Sequence, residues 1–448
     1  MRDRIFSPWR RGLSYIHVIG FTFGHCANQG AFPQGGAVSP RSGSHWLISG
    51  NTIRFARTIG LDVGSETWDT ARLANTHPDD KRRMEGGHHI IENNIISDNG
   101  LAGIAGWHHN GVVIRDNILE RNNAHDFNTG IDARWEEWGA IKLHGQGALI
   151  EGNLIRDNEA FGIWLDNDVS GSRITRNVVL NSRMAGIFIE LNEGPVLIDT
   201  NIVFGTRPRG NLYDGMGIYT HDASDVTIAH NLVIENAGGG VVMRTISDRA
   251  FGGQPVESSR ARILNNIVWN NSKPAIWLPF KNKRATGNVS DYNLLNAHTD
   301  LFQGYRPGQQ LFGINVFKNS HTADEATAGL RDKLAAAGIP ADQWPNLAWW
   351  RWQPYLSLDH WRLFTGQDRH SREPWRAVQM QVRPQEATLT ALMDAPVRTM
   401  NCPRVEGVDT DFYGTPLASG KTLPGPFQNL AETRRDYILF PVLPRHTR

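Results

Sequence analysis

The stretch Asn153-Leu-Ile-Arg-Asp-Asn-Glu-Ala-Phe-Gly162-Ile-Trp-Leu-Asp166, followed 24 residues on by Asn177-Val-Val-Leu-Asn-Ser-Arg-Met-Ala-Gly186-Ile-Phe-Ile-Glu190, decides the fold. Each half opens on an Asn and two apolar residues, crosses a polar turn, and ends on Gly, Ile, an aromatic, an apolar residue and an acid. The opening element recurs at Asn51, Asn94, Asn117, Asn153, Asn177, Asn201, Asn231, Asn266 and Asn293, at intervals of 43, 23, 36, 24, 24, 30, 35 and 27 residues. A base period of 23 to 24, stretched by inserted loops, is one coil of a parallel β-helix, in which amide ladders run up the stack and each coil buries its apolar face on its neighbours. Amphipathic helices of the length a doubly wound α/β fold needs are missing between these strands, and the crossover rule makes the solenoid right-handed. The expected class is all-β, a right-handed parallel β-helix over 12–300 with a mixed, partly helical capping segment over 301–448.

Composition supports two unequal parts. Asn occurs 28 times between Asn51 and Asn296 and 5 times after residue 300, whereas six of the 15 Trp lie between Trp344 and Trp375. Thr322 to Ala337, stopped by Gly338 and Pro340, predicts a helix, and Ser357 to Thr365, ended by Gly366, a shorter one. This segment is expected to fold back over the carboxyl end of the solenoid. The first coil reads as already in progress at Ile16, with Met1 to Arg11 a poor cap, so residues upstream are expected to be missing. No apolar h-region marks a signal peptide. No run approaches a membrane span. Lys+Arg 46 against Asp+Glu 45 gives a net charge of +1, which offers no support for a nucleic-acid partner. Cys26 and Cys402 form neither a metal motif nor a disulfide framework.

A second column of short strands begins at Gly or Ala in each coil: Gly103-Ile-Ala-Gly-Trp107, Ala140-Ile-Lys-Leu-His144, Gly162 to Asp166, Gly186 to Glu190, Gly217-Ile-Tyr-Thr-His221 and Gly240-Val-Val-Met-Arg244. Strand side chains alternate, so Ile141, Ile163 and Ile187 point inward while the third and fifth positions point out. The third positions include Lys142, Trp164, Phe188 and Tyr219. The fifth are Trp107, His144, Asp166, Glu190, His221 and Arg244. Aromatics beside titratable groups suit a sugar-binding face, the bland alternative being rings packed under long loops such as 121–139 and 205–216.

Asp166 and Glu190 lie one coil apart, about 5 Å for stacked strands. That matches the roughly 5 to 5.5 Å between the carboxyls of a retaining glycosidase rather than the 6.5 to 9.5 Å of an inverting one. Like charges directly opposite are destabilising, so structure alone would not select the pair. Their repulsion is expected to leave one ionised and the other protonated. Lys142, His144, Trp164, Asp168, Phe188, Tyr219, His221, Arg244 and Trp107 are the expected substrate-binding residues. Asp168 also competes for a catalytic role, and Asp132, Glu136 or Glu137 could supply a third acid. The row His144, Asp166, Glu190 and His221 offers donor types that transition ions accept, but an extended row suits a cleft better than a cage, so no metal is expected.

The Asn-Ile-Ile coils, with Trp138 to His144, Gly162 to Asp166 and Gly186 to Glu190, resemble the right-handed β-helix proteins of the pectate-lyase-like superfamily, and within it the glycoside hydrolases of xylosidase and fucosidase type. The resemblance covers 16–296, with tail segments Ser357 to Ser371 and Asp411 to Gly414 also similar. It implies a polysaccharide or oligosaccharide substrate, a secreted or periplasmic location, Asp166 as nucleophile and Glu190 as acid/base. It also leaves open a polysaccharide lyase on a uronate glycan, with Ca2+ and Lys142, His144 or Arg244 as base, and a non-catalytic glycan-binding solenoid.

Overall fold

The computed structural model describes residues 3–28, 34–67, 86–125, 137–209, 215–246, 249–251, 253–279, 287–297, 312–315, 320–344, 355–374, 378–393, 398–429 and 433–440. Three ten-stranded sheets run the length of a solenoid. The first opens at His17–Ile19 and closes at Val289–Asp291, and the second runs from Thr22–Cys26 to Leu294–Ala297. The third starts at Ile59–Asp62 and ends at Phe312–Asn315, where Tyr355–Leu356 adds an antiparallel edge strand. All other pairings in the three sheets are parallel, coil upon coil, as with Ile141 on Ile163, Ile163 on Ile187 and Ile187 on Ile218. These inward side chains belong to one continuous buried core.

The recurring Asn sits just after the turn between the first and second sheets. The residue before it lies in the left-handed region in coil after coil, at Gly50, Asn93, Asp116, Gly152, Arg176, Thr200, His230 and Asn265. That conformation is strained for non-glycine residues, and the ladder offsets it. The Asn153 backbone N–H and side-chain amide donate to Asn177 Oδ1 at 3.0 and 2.9 Å, while Asn177 Nδ2 reaches the Ile150 and Thr175 carbonyls at 2.8 and 3.0 Å. The pattern holds from Asn51 to Asn293, where the Asn293 N–H donates to Ser371 Oγ at 2.8 Å. A serine of the carboxyl-terminal segment thus supplies the last rung.

The described residues at both ends of the chain pack on the solenoid. Residues 3–12 pack on the first coils: Ile5 and Phe6 donate to the Ala37 carbonyl, Phe6 pairs parallel with Val38, and the buried Arg11 guanidinium meets Glu66 at 2.5 Å. The buried ion pair ties this stretch to the coils. Beyond residue 315, helices Ser320–Ala336 and Leu358–Thr365 do cover the carboxyl end, with Trp361 stacked on Phe312 at 4.7 Å. Ser357 Oγ caps the second helix and Gly366 (φ 74°) stops it. The chain after them lies instead along the outer side of the second sheet, where Leu389, Phe427 and Tyr437 bury Leu154, Val178, Leu180, Ile202 and Leu232. Apolar outward positions on that sheet required such a cover. No helix among the described residues is long and apolar enough to cross a membrane.

Candidate functional site

The third sheet is longest where the candidate residues lie, at Gly139–His144, Phe161–Asp166, Ala185–Asn192 and Met216–Ala223. Its register stacks Lys142 on Trp164, Phe188 and Tyr219, and Asp166 on Glu190, His221 and Arg244. Asp166 and Glu190 are therefore directly opposite on adjacent parallel strands.

The aromatic row is not a solvent-facing platform. Trp164, Phe188, Tyr219 and Trp277 are all buried and form, with Phe161, Met184, Met216 and Val242, a second apolar layer on the outside of the sheet. Trp164, Phe188 and Tyr219 are thus corrected from substrate contacts to packing residues, because their rings fill space against one another at 4.8 to 5.2 Å. Trp107 remains partly exposed and lies flat on the His144 ring, 3.4 Å away. Asp168, at the strand exit with φ 56°, accepts from Ser170 Oγ at 2.7 Å and Gln146 Nε2 at 2.5 Å. Those corner contacts point it away from a role with Asp166 and Glu190. Arg244 lies over the Trp277 ring at 4.9 Å and 5.8 Å from the centroid of the Tyr219 ring.

The fifth-position row forms a buried ionic network. Lys142, fully buried, places Nζ 2.7 Å from Asp166 Oδ2 and 3.8 Å from Glu137 Oε2, with the Trp164 ring 3.1 Å away. A buried ammonium is stable only against such partners. Asp166 Oδ1 is buried and without a hydrogen-bond partner among the described residues. Glu190 Oε1 is approached by His221 Nε2 at 2.8 Å and Arg249 Nη1 at 2.5 Å, and the Arg249 Nη2 lies 3.3 Å from Asp222. The His221 Nδ1 meets the Tyr219 hydroxyl at 2.8 Å. His144 accepts at Nδ1 from Asn167 (3.4 Å) and faces Glu137 with Nε2 at 3.2 Å.

Charge states follow from these surroundings. Burial raises the Asp166 carboxyl, Lys142 pulls it down and the Glu190 charge pushes it up again, leaving it above the ordinary value. Burial would raise Glu190 too, but His221, Lys142 and Arg249 outweigh it and hold it well below the carboxylate range. Glu137 is raised, chiefly by burial. Burial, then Lys142, keeps His144 neutral, well below the usual imidazole value. Glu137, His144 and Asp166 bring atoms of metal-ligand type within 4.8 Å of one another, yet the Lys142 ammonium already stands among them as the cation.

Lys142, His144, Asp166, Glu190 and His221 are brought together as the repeat implied, and Glu137 joins them. Asp132 and Glu136 lie outside the described residues. Three participants escaped the sequence reading. Gln34 comes from the first coils to donate to Glu137 at 2.9 Å, and Asp222 follows His221 on its strand. Arg249 comes from the insertion that lengthens the Asn231 to Asn266 interval to 35 residues, a spacing that marked an extra loop without saying where it points.

The chain matches the family model described as right handed beta helix region over residues 35–216 and again over 140–278, more than half its length, and belongs to that family. Curated proteins yield no match. Among solved structures it is similar to XylC in complex with xylose, at 17% identity over 97% of this chain and 68% of that one, with a TM-score of 0.63. Fainter likenesses join it to the A-module of the Azotobacter vinelandii mannuronan C-5 epimerase AlgE4 (13% identity, 63% and 86% covered, TM-score 0.33) and to the catalytic domain of a GH87 alpha-1,3-glucanase with tetrasaccharides (13%, 62% and 58%, TM-score 0.27). At 17% identity the likeness to XylC is one of fold.

Proposed function

We propose that this β-helix is a carbohydrate-active enzyme, a retaining glycoside hydrolase in which Asp166 and Glu190 do the chemistry. One observation carries the reading: two buried carboxyls directly opposite on adjacent strands, Asp166 against Lys142 and Glu190 against Arg249. A backbone spacing of about 4.8 Å favours the short carboxyl separation of the retaining mechanism. Asp166 is fixed through Oδ2 by Lys142 and keeps Oδ1 for attack. In the first step Oδ1 bonds to the anomeric carbon while the glycosidic bond breaks and its oxygen takes the proton of Glu190. In the second, Glu190 takes a proton from water, the hydroxide oxygen bonds to the anomeric carbon, and the Asp166 ester bond breaks.

The substrate is a neutral glycan or its oligosaccharides. Lys142 and Arg249 are both engaged by protein carboxylates, and a uronate would add a negative charge to a site that already holds Glu137, Asp166, Glu190 and Asp222. The same engagement argues against Lys142 as the base of a lyase. A β-helix of like fold holds xylose, which makes pentosides the first probes. Incubation with 4-nitrophenyl glycosides, xylan and alginate, followed by NMR of the released sugars, tests the reading. Retained anomeric configuration is expected on a neutral glycoside; ultraviolet-absorbing unsaturated ends from alginate, or no turnover of any probe, would overturn it.

A further inference from the structure

The resting site contains a contradiction that one residue resolves. For the hydrolase reading, Glu190 must enter the reaction protonated and Asp166 ionised. In the free protein the surroundings favour the reverse, because Glu190 Oε1 has both His221 and Arg249 upon it while Asp166, between Glu137 and Glu190, shares the single cation Lys142.

The two partners of Glu190 are not equivalent. His221 belongs to the neighbouring coil, is buried, and is fixed by the Tyr219 hydroxyl. Arg249 stands outside the coils, on the insertion between strands Val241–Arg244 and Arg262–Leu264, beside the short hairpin Ala250–Phe251 and Gln254–Pro255. Its side chain is 38% exposed. The insertion is moored where it leaves the coil, through the Ile246 N–H on Asp222 Oδ1 at 2.9 Å, and Arg249 closes back on the same carboxylate. A guanidinium so placed covers Glu190 from the solvent side and can shift without disturbing a ladder.

We infer that Arg249 is a positioning residue that decides which carboxyl of the pair holds their shared proton. Seated on Glu190, it keeps that group ionised and leaves the proton on Asp166. Displaced from Glu190 by an entering glycosidic oxygen, it lets the proton leave Asp166 for Glu190, and Asp166 becomes the anionic partner of Lys142. The groups facing Glu190 are Asp166 on one neighbouring strand, His221 and Tyr219 on the other, Lys142 and His144 one strand further, and Glu137 and Arg249 from outside the sheet. Arg249 is the one cation among them carried by the insertion. The directions of the two carboxyl shifts agree with the seated state. Interacting sites of this kind titrate as a pair, so moving one counter-ion redistributes the proton.

The inference rests on the hydrolase reading for its purpose but not for its test. Side-chain carboxyl carbons of the full chain, 13C-labelled, are titrated by NMR in wild type, Arg249→Met and Arg249→Lys, with Glu190→Gln and Asp166→Asn assigning the two resonances. Loss of a neighbouring cation moves a carboxyl by roughly one to three pH units, so Arg249→Met is expected to raise the Glu190 midpoint by that amount and to lower that of Asp166, with Arg249→Lys close to wild type. On a turned-over glycoside, the alkaline limb of kcat/KM moves up with Glu190. Unchanged midpoints in Arg249→Met would overturn the inference even if the enzyme hydrolyses glycosides. Shifted midpoints without turnover of any probe would instead sink the hydrolase reading and leave the proton device standing.

Discussion

Two buried polar rows climb this solenoid at the same spacing, and they obey opposite rules. The Asn row at the turn between the first and second sheets repeats one neutral residue, and each interior amide both accepts from the coil before it and donates to the coil after it. The row at the fifth position of the third sheet changes residue at every coil, from His144 to Asp166 to Glu190 to His221 to Arg244, carries charge, and leaves Asp166 Oδ1 without a hydrogen-bond partner among the described residues. A uniform, satisfied ladder is what stability alone selects. A heterogeneous charged row, buried at a cost in desolvation, needs another reason to exist. Repetition therefore marks the structure, and its interruption is where the proposed chemistry is placed.

The contrast can be broken by substitution. In the charged row, Asp166→Asn is expected to lower kcat by roughly 10^4-fold or more and Glu190→Gln by about 10^2 to 10^4-fold, with circular dichroism unchanged. Either variant keeping a tenth of wild-type turnover would remove that residue from the chemistry. Phe188, in the aromatic layer between the rows, should behave as core: Phe188→Ala is expected to destabilise by about 3–5 kcal/mol in urea unfolding. A raised KM at unchanged stability would restore the ring to a substrate platform. In the neutral row, Asn177→Ala strips partners from the Asn153 N–H and the Ile150 and Thr175 carbonyls, and should cost about 2–4 kcal/mol while turnover per folded molecule stays at the wild-type value.

The smallest effect concerns pH. His89 and His109 are buried, and burial above all lowers each from 6.5 to about 3. Between those values the unfolded chain binds a proton that the folded chain refuses, so stability is full above pH 6.5 and is lost as pH falls toward 3. Each histidine contributes a slope of about 1.4 kcal/mol per pH unit in that window. Urea midpoints at pH 7 and pH 5 are expected to converge in His109→Asn relative to wild type, and an unaltered difference would exclude His109 as a source of the acid sensitivity.

The solenoid was readable because its period is written in Asn and in Gly-led strands, and the inward Ile columns follow from alternation alone. The pairing of Asp166 with Glu190 was readable for the same reason, since a difference of one coil length is a statement of register. The burial of Trp164, Phe188 and Tyr219 was not, because alternation says which side of a sheet a ring takes and nothing about what lies over that side. Nor could the sequence place Arg249 or Gln34, whose positions depend on the path of an insertion and on contacts across roughly a hundred residues. Loops escape a repeat by definition, and here they supply the cation on one carboxyl of the pair and a donor to Glu137.

The central claim is that Asp166 is the nucleophile of a retaining pair with Glu190, and azide tests it most directly. With a 4-nitrophenyl glycoside that the wild type turns over, Asp166→Gly in azide should recover activity and release a glycosyl azide of inverted anomeric configuration, while Glu190→Gly should give one of retained configuration. An inverted azide from Glu190→Gly, or rescue of neither variant, would contradict the assignment.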